Sequence, residues 1–185
     1  MTVLARRPAV VAALAVLATS LSRPGTAATA REIDVKVELA LEGLLAENEA
    51  ARALAEKATA ILVFPDIVKG GLIIGGQYGE GALIKHGKPV AYYNTVAASY
   101  GLQLGVESFG YALFLMDEKA LAYLDKSEGW ELGVGPSITV VDAGKAANLS
   151  TTTAQDEVYA FFFNQKGLMA GLVIQGSKIT RITPS

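Results

Sequence analysis

Hydrophobic positions in the first part of the chain repeat with the period of a helix. Residues 31–60 are rich in alanine, leucine and glutamate and contain no proline. Apolar residues follow one another at steps of four, four and three, which places them on one face of a helix: Ile33, Val37, Leu41 and Leu44. Asn48 is a residue type that starts helices. The pattern therefore predicts two helices, over residues 32–46 and 49–60.

After residue 60 the hydrophobic positions change to the pattern of β-strands. The apolar run AILVFPD is interpreted as a strand that ends at Pro65. LIIGGQY and GALIKH are predicted to be two paired strands, and HGKP (residues 86–89) a turn after them. Residues 100–107 then alternate between apolar and small or polar side chains, which is typical of a half-buried strand.

The rest of the chain is predicted to be mainly strands around one short helix. FGYALFLM is apolar on both faces, like a central strand, and a helix follows from Asp117 to Glu128. GWELGVG and SITVVD have strand patterns, and residues 143–155 form a loop. EVYAFFFN, LMAGLVIQ and KITRI predict a meander of three strands. Because helices come first and strands run consecutively after them, the order indicates an α+β fold with an antiparallel sheet.

Residues 1–30 have the layout of a secretory signal peptide. Arg6 and Arg7 precede a short apolar core, PAVVAALAVLA, and ATA at residues 28–30 offers a small-x-small cleavage site. The alternative is an uncleaved anchor, although the apolar run is short for a membrane span. We expect cleavage near Ala30, a single domain over residues 31–185, and a periplasmic or secreted location.

Composition and charge exclude several classes of function. Without cysteine, the chain has neither disulfides nor thiolate metal sites, and its one histidine, His86, cannot form a multi-histidine metal site. Cleavage after Ala30 would remove three arginines and no acidic residue, so the formal net charge would change from −2 to −5. Nucleic acid is therefore not an expected partner, because phosphate backbones require a basic face.

Searches for catalytic and nucleotide-binding motifs give no candidate. Neither Gly-Lys pair has the spacing of a phosphate loop, and the serine of GVESFG is one place late for a nucleophile elbow. Two acidic pairs could act in acid–base chemistry, but helix starts and strand ends explain them better: Asp117-Glu118 and Asp156-Glu157. We predict no catalytic residue, no cofactor and no metal. The aromatic residues Trp130, Tyr159, Phe161, Phe162 and Phe163 are interpreted as core, with an exposed aromatic row as the alternative.

Cations cluster near the ends of adjacent predicted strands in this acidic chain. Lys69, Lys85, His86 and Lys88 form the first group, and Lys166, Lys178 and Arg181 lie in the C-terminal strands. They are either ordinary surface residues or a small anion-binding patch for a lipid headgroup. Lys69, Lys85 and Lys88 are the predicted headgroup residues.

The same region is rich in glycine. Glycine in a strand allows bends, bulges and close approach of another backbone. We interpret six of them as residues of sheet curvature and packing: Gly70, Gly71, Gly75, Gly76, Gly79 and Gly81.

Three segments together resemble the SYLF domain family, over about Glu32 to Ile182: ILVFPDIVKGGLIIGGQYGEGALI, GLQLGVESFGYALFLM and VYAFFFNQKGLMAGLVIQGSKI. The resemblance implies an α+β domain with N-terminal helices packed on a curved, mostly antiparallel β-sheet or barrel-like meander. It also implies a non-enzymatic role. Eukaryotic members bind phosphoinositides, and some bundle actin filaments.

Two features depart from the eukaryotic pattern. The N-terminal helices are acidic, and the leader directs the chain away from actin. The expected function is therefore an exported domain that binds anionic lipid or a membrane surface, with no actin partner. The alternative is an envelope structural or protein-interaction module whose partner the sequence does not identify. An enzyme with a pocket at Gln103 and Glu107 ranks third.

Overall fold

A computed structural model of the chain describes residues 28–71, 74–100, 106–126, 129–141, 155–163 and 176–185. Three helices are present in these ranges: α1 (Ala30–Glu47), α2 (Glu49–Ala55) and α3 (Glu118–Ala122). The strands are β1 (Ala60–Gly71), β2 (Ile74–Lys85), β3 (Lys88–Tyr100), β4 (Val106–Leu115), β5 (Trp130–Glu131), β6 (Ile138–Val141), β7 (Val158–Phe163) and β8 (Lys178–Ile182).

The eight strands form one curled sheet in the order β5-β8-β3-β2-β1-β4-β7-β6. Every neighbouring pair is antiparallel except β6 and β7, which are parallel. The helices at the N-terminus pack on this half-barrel. The predicted α+β class, with N-terminal helices on a curved and mostly antiparallel sheet, is confirmed.

Both faces of the central strands are buried, and each face contributes to a separate core. In β1, Leu62 and Phe64 point into a core closed by α3 and β5. Ile61 and Val63 point to the other side, into a core shared with α1 and α2. Burial on both sides explains why β1 and β4 are nearly continuous apolar runs.

The N-terminal helices begin and end at residues that cap them. Thr29 and Glu32 form a capping box at the start of α1, and the Asn48 side chain accepts a hydrogen bond at the start of α2. The predicted break between the two helices is thus confirmed. The second helix ends at Ala55, earlier than predicted, because the chain already turns there toward β1.

The prediction that the first strand ends at Pro65 is wrong. β1 continues to Gly71 and pairs on both sides beyond the proline. A bulge near Pro65 absorbs one extra residue relative to both neighbouring strands. Gly81 on β2 and Gly110 on β4 lie beside the bulge, where an added Cβ would collide with the carbonyl oxygens of Val63 and Pro65 respectively. Proline is therefore tolerated in a central strand because glycines on both sides make room for its irregular backbone.

The prediction of two paired strands in LIIGGQY and GALIKH is also wrong. Residues 74–85 form one strand, β2, which pairs with β1 and with β3. Gly79 and Gly81 pack against the backbone of β1, so these glycines serve close approach rather than a turn. An added Cβ at Gly70 would have no atom within 4 Å, and at Gly76 it would make only an ordinary contact, 3.8 Å from the Ala97 carbonyl oxygen. Close packing therefore does not require glycine at these two positions.

The later elements follow the predictions in part. β4 is the predicted central strand, and Asp117 caps α3, which is shorter than predicted. β7 and β8 lie on opposite sides of the sheet, separated by four strands, so the described residues do not show the predicted meander. Its middle segment, LMAGLVIQ, and most of the predicted loop 143–155 lie outside the described residues.

Candidate functional site

Two of the three predicted headgroup lysines face each other at the tip of a hairpin. Lys85 ends β2, Lys88 begins β3, and the two residues are directly paired. His86 and Gly87 form the turn between them, with φ of 52° and 73°. Positive φ at both central residues is typical of tight two-residue hairpins. Since paired residues place their Cβ atoms about 5 Å apart, the two lysine side chains leave the hairpin side by side.

The hairpin tip projects into solvent. Residues 86–90 are all exposed, and Val90 keeps 52% of its surface accessible. The Lys85 Nζ atom lies 3.5 Å from Oε1 of Glu118 on α3. The Glu118 side chain of this ion pair is mostly exposed to solvent. Such a pair contributes little stability. Lys88 has no hydrogen-bond or ion-pair partner among the described residues, so its charge is available to a ligand.

Lys69 is far from the other two lysines. It is half-buried near the end of β1, where it pairs with Gln77 on β2. Gln77 and Lys85 are eight residues apart on one strand, or about 26 Å at about 3.3 Å per residue. The structure therefore brings Lys85 and Lys88 together and leaves Lys69 near the other end of the sheet.

The remaining predicted cations do not form a second cluster among the described residues. Arg181 pairs with Asp125 at 3.5 Å, and His86 is part of the hairpin turn. Lys178 is exposed on β8, and Lys166 lies outside the described residues. The hairpin is consequently the strongest local concentration of positive charge among the predicted cations that the structure describes.

A row of exposed apolar side chains crosses the outer face of the sheet at the far end of β2. Val68, Tyr78 and Val96 are cross-strand neighbours on β1, β2 and β3, and each is about half exposed, at 45–47%. We call these three residues the apolar row. Their alignment depends on the register of three strands, so the row is not visible in the sequence.

The aromatic residues predicted as core are buried as expected. Trp130, Tyr159 and Phe161 are at most 2% exposed, and Phe162 and Phe163 are partly buried against the two cores. The alternative of an exposed aromatic row at these positions is therefore wrong.

Tyr78 in the apolar row also belongs to a polar contact. Its hydroxyl donates to Glu80 Oε1 at 2.6 Å, and the second carboxylate oxygen accepts from the Ala28 backbone N–H at 3.1 Å. Partial burial, followed by the hydrogen bond to Glu80, raises the pKa of Tyr78 to about 12. Glu80 thus joins the start of α1 to β2.

The acidic pairs considered for acid–base chemistry have structural partners. Asp117 accepts from the Ala120 N–H as the cap of α3, and Asp156 accepts from the Thr139 hydroxyl. Glu157 accepts from Lys119 at 2.7 Å and from the Ser137 N–H. These contacts hold loops and α3 against the sheet.

The described residues offer no metal-binding group of three or more histidines, cysteines and carboxylates. Within the same ranges, no helix is long and apolar enough to cross a membrane. The deepest polar contacts lie on the inner face of the sheet, where Tyr111 donates to Thr95 and Gln77 donates to Ser177. Burial raises the pKa of Tyr111. Gln103 and the side chain of Glu107, on which the suggested enzyme pocket depends, lie outside the described residues.

Fold and site together define a small α+β domain with a cationic hairpin, an apolar row and no assembled catalytic group among the described residues. Residues 96–183 match the family model described as Ysc84, Las17-binding protein actin regulator. The matched part runs from within β3 to the C-terminal residues, and the match confirms the resemblance to the SYLF domain family found in the sequence. No curated protein matches the chain.

The family match covers two of the three segments on which the resemblance was based. The segment with Pro65 and the glycines of β2 lies before residue 96 and outside the match. The family is one of non-enzymatic binding domains associated with lipid and actin-related binding. The match therefore supports a domain of the lipid-binding or actin-regulator type.

Proposed function

We propose that this protein is an exported, non-enzymatic domain that binds anionic lipid surfaces through the β2–β3 hairpin. The observation that carries the proposal is the direct pairing of Lys85 with Lys88 at an exposed tip. The family match supports the ligand class, and the leader-like residues 1–30 support export. The proposed ligand is phosphatidylinositol or another lipid with a net negative headgroup.

Electrostatics make this binding local and weak. The domain is acidic overall, so attraction must come from the hairpin rather than from net charge. Each lysine near an anionic membrane contributes about 1 kcal/mol, so the two lysines provide roughly 2 kcal/mol. The exposed Val90 beside them adds apolar surface at the depth of the headgroups. Lys69 has no part in this surface because of its position in the sheet.

Vesicle co-sedimentation at low salt tests the proposal directly. We expect the wild-type protein to bind phosphatidylinositol-containing vesicles and not neutral phosphatidylcholine vesicles. Lys85→Glu with Lys88→Glu should abolish this binding. The matched control is Lys36→Glu with Lys178→Glu, which changes net charge equally at exposed positions of α1 and β8. Absence of wild-type binding, or equal loss in both double variants, contradicts the role of the hairpin.

A second candidate function is protein interaction through the apolar row. Three aligned apolar side chains, each about half exposed, form a surface that an envelope protein could cover. Crosslinking in the native envelope, followed by mass spectrometry, tests this function. A partner that is lost in Val96→Lys but retained in the hairpin variant supports an interaction module. Lipid binding without such a partner supports the first function.

A further inference from the structure

A polar cavity lies between β8 and the residues that follow α3. Its volume is about 360 Å³, near the lower end of the range for cavities that hold small ligands. Five residues line it: Leu124, Asp125, Lys126, Thr180 and Arg181. Leu124 is buried and the other four residues are exposed, so the cavity combines one apolar contact with charged walls that are open to solvent.

Two cationic side chains of the cavity are positioned by their neighbours. The Arg181 guanidinium lies 3.5 Å from the Asp125 carboxylate, and this single contact leaves most of its five N–H donors unused. The Lys126 ammonium lies 3.4 Å from the centre of the Tyr123 ring, whose face attracts a cation. The five lining residues therefore present two positive charges and one negative charge.

A buried tyrosine places a hydroxyl beside these charges. Tyr93 on β3 is paired with Arg181 on β8, so both side chains lie on the same face of the sheet. Tyr93 is 1% exposed, and no hydrogen bond of its hydroxyl is found within the described ranges. Burial, followed by the charge of Asp125, raises the pKa of Tyr93, while the charge of Arg181 lowers it. The neutral hydroxyl therefore lies near both charged residues, with its proton available to a ligand.

This set of side chains fits a ligand that carries both signs of charge. Four groups can donate hydrogen bonds to an anion: the Tyr93 and Thr180 hydroxyls, the Lys126 ammonium and the Arg181 guanidinium. The Asp125 carboxylate only accepts hydrogen bonds, so it repels a simple anion and attracts a cationic group beside it. A carboxylate and an ammonium group joined by one carbon atom satisfy both requirements.

We propose that this cavity binds free α-amino acids. The ligand carboxylate accepts hydrogen bonds from the Arg181 guanidinium and the Tyr93 hydroxyl, and Lys126 adds a second positive charge. The ligand ammonium donates to Asp125, and a small apolar side chain contacts Leu124. The cavity shares no lining residue with the β2–β3 hairpin, so this inference does not depend on the proposed lipid binding.

An NMR titration of the isotope-labelled protein with ligands of similar size tests the charge requirement. L-Alanine carries both charges, propionate only the carboxylate and ethylamine only the ammonium. We expect saturable shifts of the backbone amides of residues 124–126 and 180–181 with L-alanine, at an affinity about tenfold higher than with either other ligand. Equal affinity for propionate would show a plain anion site. That result, or a lack of saturable shifts with L-alanine, overturns the proposal.

The Tyr93→Phe variant tests the hydroxyl and keeps the ring. We expect about tenfold weaker binding of L-alanine, because a hydrogen bond to the ligand carboxylate is lost. Tyr92→Phe is the matched control, since it removes a hydroxyl that donates to Asp34 on the opposite face of β3. It should leave the affinity unchanged, and thermal unfolding shows that both variants are folded. Equal affinities for the two variants overturn the placement of the carboxylate against Tyr93.

Discussion

Glycine and proline compensate for each other at one point of the sheet. Pro65 interrupts the hydrogen-bond ladder of β1, and the resulting bulge brings its backbone close to both neighbours. Gly81 and Gly110 are the residues that meet it, one on each side. Gly70, later in the same strand, has no atom near the position of a side chain. Gly70 and Gly81, which both lie in glycine-rich stretches of the chain, therefore have different structural roles.

Replacement of Gly81 by alanine tests this difference. Its Cβ would lie 2.8 Å from Phe64 Cδ1 and would also collide with the Val63 backbone. We expect Gly81→Ala to lower the free energy of unfolding by about 1–3 kcal/mol, the range for overpacking a core. Gly70→Ala is the control and should be neutral or slightly stabilising. Urea denaturation measures both, and similar values for the two variants would contradict the packing role of Gly81.

At the scale of elements, local signals predicted most of what was found. Periodicity gives the start of α1 to within two residues, and caps give the break at Asn48 and the start of α3, because these depend on neighbours in sequence. The end of the first strand was misplaced at Pro65 because the compensating glycines come from strands that are distant in sequence. The continuity of β2 was missed for the same reason.

Only the part of the candidate site that lies within one hairpin could be predicted from the sequence. HGKP is a local turn signal, and it places Lys85 beside Lys88 without further information. The position of Lys69 depends on how β1 pairs with β2. The apolar row requires three strands in register, which no local pattern contains.

The cap of α1 gives a prediction for this element. Thr29→Ala removes the oxygen that accepts from the Glu32 N–H, so the free energy of unfolding should fall by about 1 kcal/mol. Thr29→Ser keeps this oxygen and should behave like the wild type. Urea denaturation of the three proteins measures the effect. A loss of equal size in the serine variant would exclude capping as its cause.

Glu157 links α3 to the sheet and makes stability depend on acid pH. The hydrogen bond from Lys119, then that from the Ser137 N–H, holds the pKa of Glu157 below its usual value of 4.5. A carboxyl with a lowered folded-state pKa stabilises the protein above 4.5 and loses this contribution as pH falls through the folded-state pKa. We expect Glu157→Gln to flatten the decline of stability below pH 4.5, measured as urea midpoints across pH. An unchanged slope would contradict the contribution of Glu157.

At the scale of the whole molecule, the two exposed surfaces are well separated. Tyr78 in the apolar row and Lys85 in the hairpin are seven residues apart on β2, or about 23 Å. Such a distance exceeds the Debye length of about 8 Å at physiological salt. A change of charge at one surface is therefore screened at the other, so the proposed membrane contact at the hairpin and the proposed protein contact at the apolar row would be independent of each other.

This separation gives a prediction for salt dependence. Binding of the wild type to anionic vesicles should weaken from low to physiological salt, since exposed lysines supply the attraction. Val96→Lys adds a positive charge in the apolar row and should leave both the affinity at physiological salt and its salt dependence unchanged. The measurement is vesicle co-sedimentation at several salt concentrations, with thermal unfolding to show that Val96→Lys is folded. If Val96→Lys strengthens vesicle binding as much as Lys88→Glu weakens it, the membrane contacts the apolar row as well, and the two surfaces are one.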